Sequence, residues 1–332
     1  MKKNTTTMNP RYNPRPRAGA IPIDRSFRGA AGILLLIHAL MSVLLQISWT
    51  IMPDGFFGIS KKGLNGFVFS TIIMQGICIL LPTLFILLWF KMPSKTVTGS
   101  SNATLSGIVM SIAVGIPAAV VFIGLNNGFI YFLSQIGITL PASPLPSWTA
   151  YQGPRAFVLI LMVSVFLPGI IEELMFRGVL QGSMESEGGR FSAILLQAFA
   201  FSIFHADPLF ILAPFLAGLL LGFIRKTTGN IYSSIFAHVS LNLTILLMSP
   251  LLPRITSNYF ATTPSLQVLY ASLLSACIAA VALIPLILAF SSLSKIKSQP
   301  REALVFFPAD WKFILASLVL ISTLLFVYFT NS

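Results

Sequence analysis

The run LILMVSVFLPGII, Leu159 to Ile171, carries no charge and no polar-apolar alternation, and it leads straight into Glu172-Glu173-Leu174-Met175-Phe176-Arg177. Continuous apolar sequence of this kind reads as a helix crossing lipid, because a strand of a membrane barrel would alternate between its two faces. Further apolar runs of about 20 residues, the length that spans ~30 Å of hydrocarbon as helix, lie near 29–51, 66–90, 105–134, 156–181, 231–249, 267–290 and 312–330. Shorter ones lie near 191–206 and 209–224. The expected fold is therefore all-α, a polytopic transmembrane helical bundle of about nine helices. Composition points the same way: 55% of the 332 residues are hydrophobic and 9% charged, with a mean hydropathy of +0.87, too apolar for a soluble core of this size.

The net charge of +12 follows the loops, which argues for a lipid bilayer as partner and against nucleic acid. With residues 1–28 inside, the inner side also holds Lys91, Lys95, Arg190, Arg225, Lys226, Lys295, Lys297, Arg301 and Lys312, and the outer side holds Lys61, Lys62, Arg155 and Arg254. This positive-inside bias predicts a cytoplasmic N-terminus and, with nine helices, an external C-terminus, in a multi-pass protein of a bacterial-type cell membrane. Residues 1–28, basic and with Pro10, Pro14 and Pro16, read as a disordered tail, too long and too far from a small-residue cleavage site to be a signal peptide. A three-helix membrane part over 29–154, a functional core over 155–246 and two C-terminal helices over 247–332 complete the expected organisation. Cys78 and Cys277, in separate apolar helices without CxxC spacing, read as packing thiols.

Polar residues inside apolar sequence concentrate between 172 and 242. An ionised side chain at the centre of a membrane helix costs ~2.5 to 3.5 kcal/mol, so Glu172, Glu173 and Arg177 must face protein or water. Glu173 and Arg177, four apart, share a helical face and are expected to pair, whereas Glu172 is turned away by about a quarter of a circle and has no local partner. Phe201 to His205 and His238 to Asn242 repeat the spacing of four on two further helices. His38, alone in LLIHALM, reads as interhelical glue. A partly desolvated carboxylate can take a proton from water, which makes Glu172 the candidate base of a hydrolase. His205 can orient that water, and His238 with Asn242 can donate hydrogen bonds to an oxyanion. The same atoms allow a metal reading, with Glu172, His205 and His238 as ligands of a zinc-like ion and one open position.

The three motifs, EExxxR at Glu172, Glu173 and Arg177, FxxxH at Phe201 and His205, and HxxxN at His238 and Asn242, resemble those of the CPBP family, the type II CAAX prenyl endopeptidases and their bacteriocin-processing, Abi-like relatives. Arg177-Gly178, Gly218-Leu-Leu-Leu-Gly222 and Lys226-Thr-Thr-Gly-Asn230 also fit, and the resemblance covers about 155–246. It implies an intramembrane endopeptidase acting on a peptide or membrane-protein substrate, with Glu172 and His205 catalytic, Glu173 supporting, and His238 and Asn242 at the oxyanion. The family is described both as metalloproteases and as metal-free glutamate peptidases, so the resemblance leaves the cofactor as none or a divalent metal such as zinc. Some relatives are immunity proteins or membrane partners, which makes a non-catalytic binding protein of the same fold the alternative function. A proton-coupled transporter is further off, since one polar cluster replaces the paired interrupted helices of such proteins. One expectation conflicts with the others: a helix over 156–181 running inward leaves Glu172 near the inner side, and a helix rising over 191–206 carries His205 toward the outer side. A break near Pro168-Gly169, a tilted helix, or a helix 191–206 starting deeper would close that gap.

Overall fold

The computed structural model describes residues 23–51, 63–138, 153–185, 190–205, 207, 210–248, 266–293 and 311–331. Among these residues there are ten helices and no strand: α1 (Ile23–Ile51), α2 (Gly63–Trp89), α3 (Ser94–Thr98), α4 (Leu105–Gln135), α5 (Pro154–Glu185), α6 (Arg190–Phe204), α7 (Leu212–Thr228), α8 (Ile231–Met248), α9 (Leu266–Leu293) and α10 (Trp311–Asn331). The nine expected helices are all there, and α3 is added. Six of them, α1, α2, α4, α5, α8 and α9, contain spans long and apolar enough to cross a membrane, and α6 and α10 contain shorter apolar stretches. The protein is an integral membrane protein with an all-α bundle.

Several boundaries differ from expectation. α1 begins at Ile23, inside the stretch expected to be a disordered tail. α5 runs four residues beyond 181, to Glu185. Arg225 is not a solvated loop charge: it sits buried in the last turn of α7, donates through Nη1 to Glu185 Oε2 at 2.7 Å and through Nη2 to the Thr96 carbonyl at 2.7 Å. The tail up to residue 22, Lys61, Lys62, Arg254, Lys295, Lys297 and Arg301 lie outside the described residues.

α5 is the central helix, packed against α1, α2, α3, α6, α7 and α8, while α9 lies on α4 and α10 on α1. Three helix pairs of the bundle approach through small residues, as helices in lipid do. A Cβ on Gly218 of α7 would fall 2.7 Å from the Ala198 Cα of α6, one on Gly115 of α4 would fall 2.6 Å from the Ala237 carbonyl of α8, and one on Gly169 of α5 would fall 2.6 Å from Val239 of α8.

Three π-helical segments widen the long helices: Met74–Leu80 in α2, and Met162–Phe166 and Leu174–Gln181 in α5. Two of them are followed at once by Leu-Pro, Leu81-Pro82 and Leu167-Pro168. Proline cannot donate to the carbonyl four residues earlier and its ring crowds that carbonyl, so a widened turn ahead of it relieves the clash while the helix continues. α5 is continuous through Pro168-Gly169, without the break considered above. In α2 the carbonyl of Cys78, inside the widened segment, accepts from His38 Nδ1 of α1 at 2.8 Å. Its Nε2 takes the hydroxyl of Ser42 at 3.2 Å, so His38 is fully used in holding α1 to α2.

One end of the bundle is tied together by backbone. Gly99, after α3, and Asn230, after α7, form an isolated antiparallel bridge, and Ser101 N–H donates to the Gly229 carbonyl at 3.1 Å. Gly99 has φ +90°, and a Cβ there would overlap the Gly229 carbonyl oxygen, so only glycine fits. The same end holds the Glu185–Arg225 pair and the Thr96 carbonyl. The 91–104 and 225–230 connections thus share one end of the bundle, the end that the positive-inside bias of the sequence expects to be cytoplasmic. A cysteine replacing exposed Lys95, in a background lacking Cys78 and Cys277, is expected to resist a membrane-impermeant thiol reagent in intact cells and to react after lysis. Labelling in intact cells would invert the orientation.

Candidate functional site

The acidic pair sits where α5 passes from α-helix into its second π-helical segment, a kind of distortion that recurs at functional sites. Glu173 and Arg177 have no exposed surface, and Arg177 Nη1 donates to Glu173 Oε1 at 2.7 Å. The same oxygen accepts from His238 Nδ1 on α8 at 2.9 Å. Arg177 Nη2 reaches the Gly218 carbonyl of α7 at 3.3 Å, and the guanidinium lies over the Phe201 ring of α6, 4.5 Å from its centroid. Arg177 therefore joins α5, α6 and α7, while Glu173 joins α5 to α8.

Phe201 orders the rest of the cluster. Its ring meets Phe176 at 5.0 Å, His205 at 4.9 Å and His238 at 5.8 Å between centroids, each edge to face. Beside it, Phe204 meets Phe176 at 5.1 Å and stacks on His38 at 4.5 Å. His205, exposed at the end of α6, turns Nδ1 to the Phe201 carbonyl at 2.7 Å. Ser202 fixes that end by donating to the Ile211 carbonyl ahead of α7. Asn242 lies one turn beyond His238 on α8 and is half-buried.

The structure brings both histidines to the level of the acidic pair, and the depth conflict disappears. Arg177 of α5 lies over Phe201 of α6, and Glu173 and His205 each stand four residues further from the turn between these two helices, while His238 of α8 bonds Glu173 directly.

The sequence offers no local partner for Glu172, and the structure corrects this with a distant one. Gln75, in the π-helical segment of α2, donates from Nε2 to Glu172 Oε1 at 2.6 Å. Gln75 is the only amide in α2 beyond Asn65, and an amide in a membrane helix calls for a partner, so a signal was present. Sequence reading also passes over the ladder below the site. Gln181 donates to the Gly222 carbonyl at 3.1 Å and to Glu185 Oε1 at 2.8 Å, and Gln197 of α6 donates to the Gly218 carbonyl at 2.7 Å.

A metal centre would require Glu172, His205 and His238 to converge on one point. Among the described residues no three His, Cys, Asp or Glu side chains are grouped to hold an ion. Glu172, His205 and His238 are not grouped as three ligands in this arrangement.

Helices of a membrane bundle thus gather a carboxylate pair, an arginine and two histidines at one level. Comparison with known proteins points to a family for this cluster. Residues 154–244 match a family model described as "Rce1-like: Type II CAAX prenyl endopeptidase Rce1-like", so the chain carries an Rce1-like domain that spans α5 to α8. A curated protein of Bacillus subtilis (strain 168), "Putative membrane peptidase YdiL", is 31% identical over 94 residues, which are 28% of this chain and 38% of that protein. Less than half of that relative's length is thus matched.

Arg177→Ala leaves Glu173 buried with its main counter-charge removed, a change that costs about 3 to 5 kcal/mol. The expected outcome is a strong fall in membrane yield and in thermal stability in detergent. Arg177→Lys should recover only part of it, since an ammonium cannot reach Glu173, the Gly218 carbonyl and the Phe201 face together.

Proposed function

We propose that this protein is an intramembrane endopeptidase in which Glu172 activates water against a peptide bond of a membrane-tethered substrate. One observation supports this above the others. Arg177 and His238 both commit to Glu173 Oε1, so Glu172, 4% exposed, receives its one hydrogen bond among the described residues from a neutral amide. Arg177 acts on Glu172 only through space, without a hydrogen bond, and a carboxylate that no cation hydrogen-bonds remains able to accept a proton, which a base requires. Glu172 takes a proton from water, the hydroxide attacks the carbonyl carbon, and the resulting carboxylic acid returns the proton to the departing amine.

The histidines have different parts. His205 gives its Nδ1 hydrogen to a carbonyl, which only accepts. In the neutral ring Nε2 is then an acceptor, suited to holding the attacking water by one hydrogen. His238 likewise gives its Nδ1 hydrogen to the Glu173 carboxylate. Its Nε2 can donate to an oxyanion only when the ring is an imidazolium. In that state two carboxylates, Glu172 and Glu173, stand against a guanidinium and an imidazolium, and the cluster is neutral. The Asn242 amide donates under no such condition. The family's name makes a prenylated CAAX peptide the first substrate to try, within a mixed library of membrane-tethered peptides.

Purified Glu172→Gln is expected to remain folded and to lose hydrolysis of that library to background, since the amide keeps the shape and cannot accept the proton. Full turnover by this variant would remove the base role. His238→Ala and Asn242→Ala should each lower kcat about a hundred- to a thousandfold with little change in KM, the cost of one oxyanion donor. Stoichiometric zinc in active wild type that is lost in His238→Ala, with Asn242→Ala near normal, would reassign His238 to a metal.

A further inference from the structure

Among the described residues, the one hydrogen bond that the acidic pair receives from a helix outside the matched residues 154–244 comes from the amide of Gln75. We infer that Gln75 is a positioning residue of the reaction, holding one oxygen of Glu172 so that the other is presented to water; this rests on the reading of Glu172 as the base. Gln75 is 6% exposed and 97 positions from Glu172 in sequence, and its Nε2 lies 2.6 Å from Glu172 Oε1. An ionised carboxylate only accepts, so the donor end of the amide faces it. The bond fixes the carboxylate against rotation without adding the positive charge that would weaken it as a base, a combination that lysine or arginine in the same place would not give.

The backbone of α2 is adapted at this point. Gln75 lies in the widened segment Met74–Leu80 that precedes Leu81-Pro82, and His38 of α1 ties the Cys78 carbonyl of the same segment. The amide that meets Glu172 is thus carried on a stretch of α2 that is itself held from α1.

The test is steady-state kinetics of the purified full chain in liposomes, on an internally quenched farnesylated CAAX peptide, with five variants. Gln75→Met keeps the length and removes the donor, and Gln75→Asn keeps the amide but withdraws it by one methylene. Both are expected to lower kcat ten- to a hundredfold, the loss of a hydrogen bond to a charged group, with KM within about twofold and unfolding temperature near wild type. Glu172→Asp withdraws the carboxylate from Gln75, so adding Gln75→Met to it should cost little more, and the two effects should fail to add. A residue that only packs α2 against α5 would give additive losses. A folded Gln75→Met or Gln75→Asn with kcat within twofold of wild type, while Glu172→Gln is inactive, overturns the inference and leaves the base reading standing. Turnover by Glu172→Gln, or no cleavage by wild type, removes the base reading and the inference with it. Failure of both Gln75 variants to accumulate would make Gln75 a folding residue and also overturn the proposal.

Discussion

Glu173 and Arg177 are both ionised and both without exposed surface, so every partner they need must come from inside the protein. In a helix bundle the backbone has already used its own hydrogen-bonding groups, and few places can supply such partners. The solution here draws on three other helices: a histidine from α8, a carbonyl from α7 and an aromatic face from α6. Those requirements bring α6, α7 and α8 to one level of α5, and the chemistry-bearing residues come with them. Breaking the pair would leave an uncompensated charge in the interior, so stability and site geometry rest on the same contact.

Pairing Glu173 also defines Glu172. Two adjacent glutamates have the same chemistry in isolation, and they differ here because the direct hydrogen bonds from Arg177 and His238 go to one of them. Glu173 becomes an anchor, and Glu172 is left beside an amide. Division of labour between neighbouring carboxylates by environment alone is a general route to an acid-base group. The histidines follow the same logic, since what each can do at Nε2 is decided by what its Nδ1 holds.

Much of this is legible in the sequence. Apolar run length identifies all nine expected helices, because length and continuity are what a bilayer demands. Spacing of four identifies the Glu173–Arg177 pair and the two histidine faces, because that spacing sets one side of a helix. The rest depends on distance in sequence or on a broken rule. Gln75 meets Glu172 across 97 positions, which local periodicity does not reach. The expected mismatch in depth came from ending α5 at 181 where apolar sequence gives way to Gly182-Ser183, whereas buried polar partners carry the helix to Glu185. Arg225 looks like a loop cation because it follows an apolar run, and only the fold brings Glu185 and the Thr96 carbonyl to it. The π-helical turns leave a trace in Leu81-Pro82 and Leu167-Pro168, but proline alone does not say whether a helix widens, kinks or stops.

The carbonyls of Gly218 and Gly222 have a mechanical consequence. Arg177 and Gln181 of α5 and Gln197 of α6 all donate to these two oxygens, at the point where glycine lets α7 touch the backbone of α6. A slide of α7 by half a turn, about 2.7 Å, would pull all three contacts apart together. α5, α6 and α7 therefore behave as one keyed block, resistant to shear along the membrane normal. For the peptidase proposed above, any opening of the bundle toward Glu172 would fall at the borders of this block and not within it.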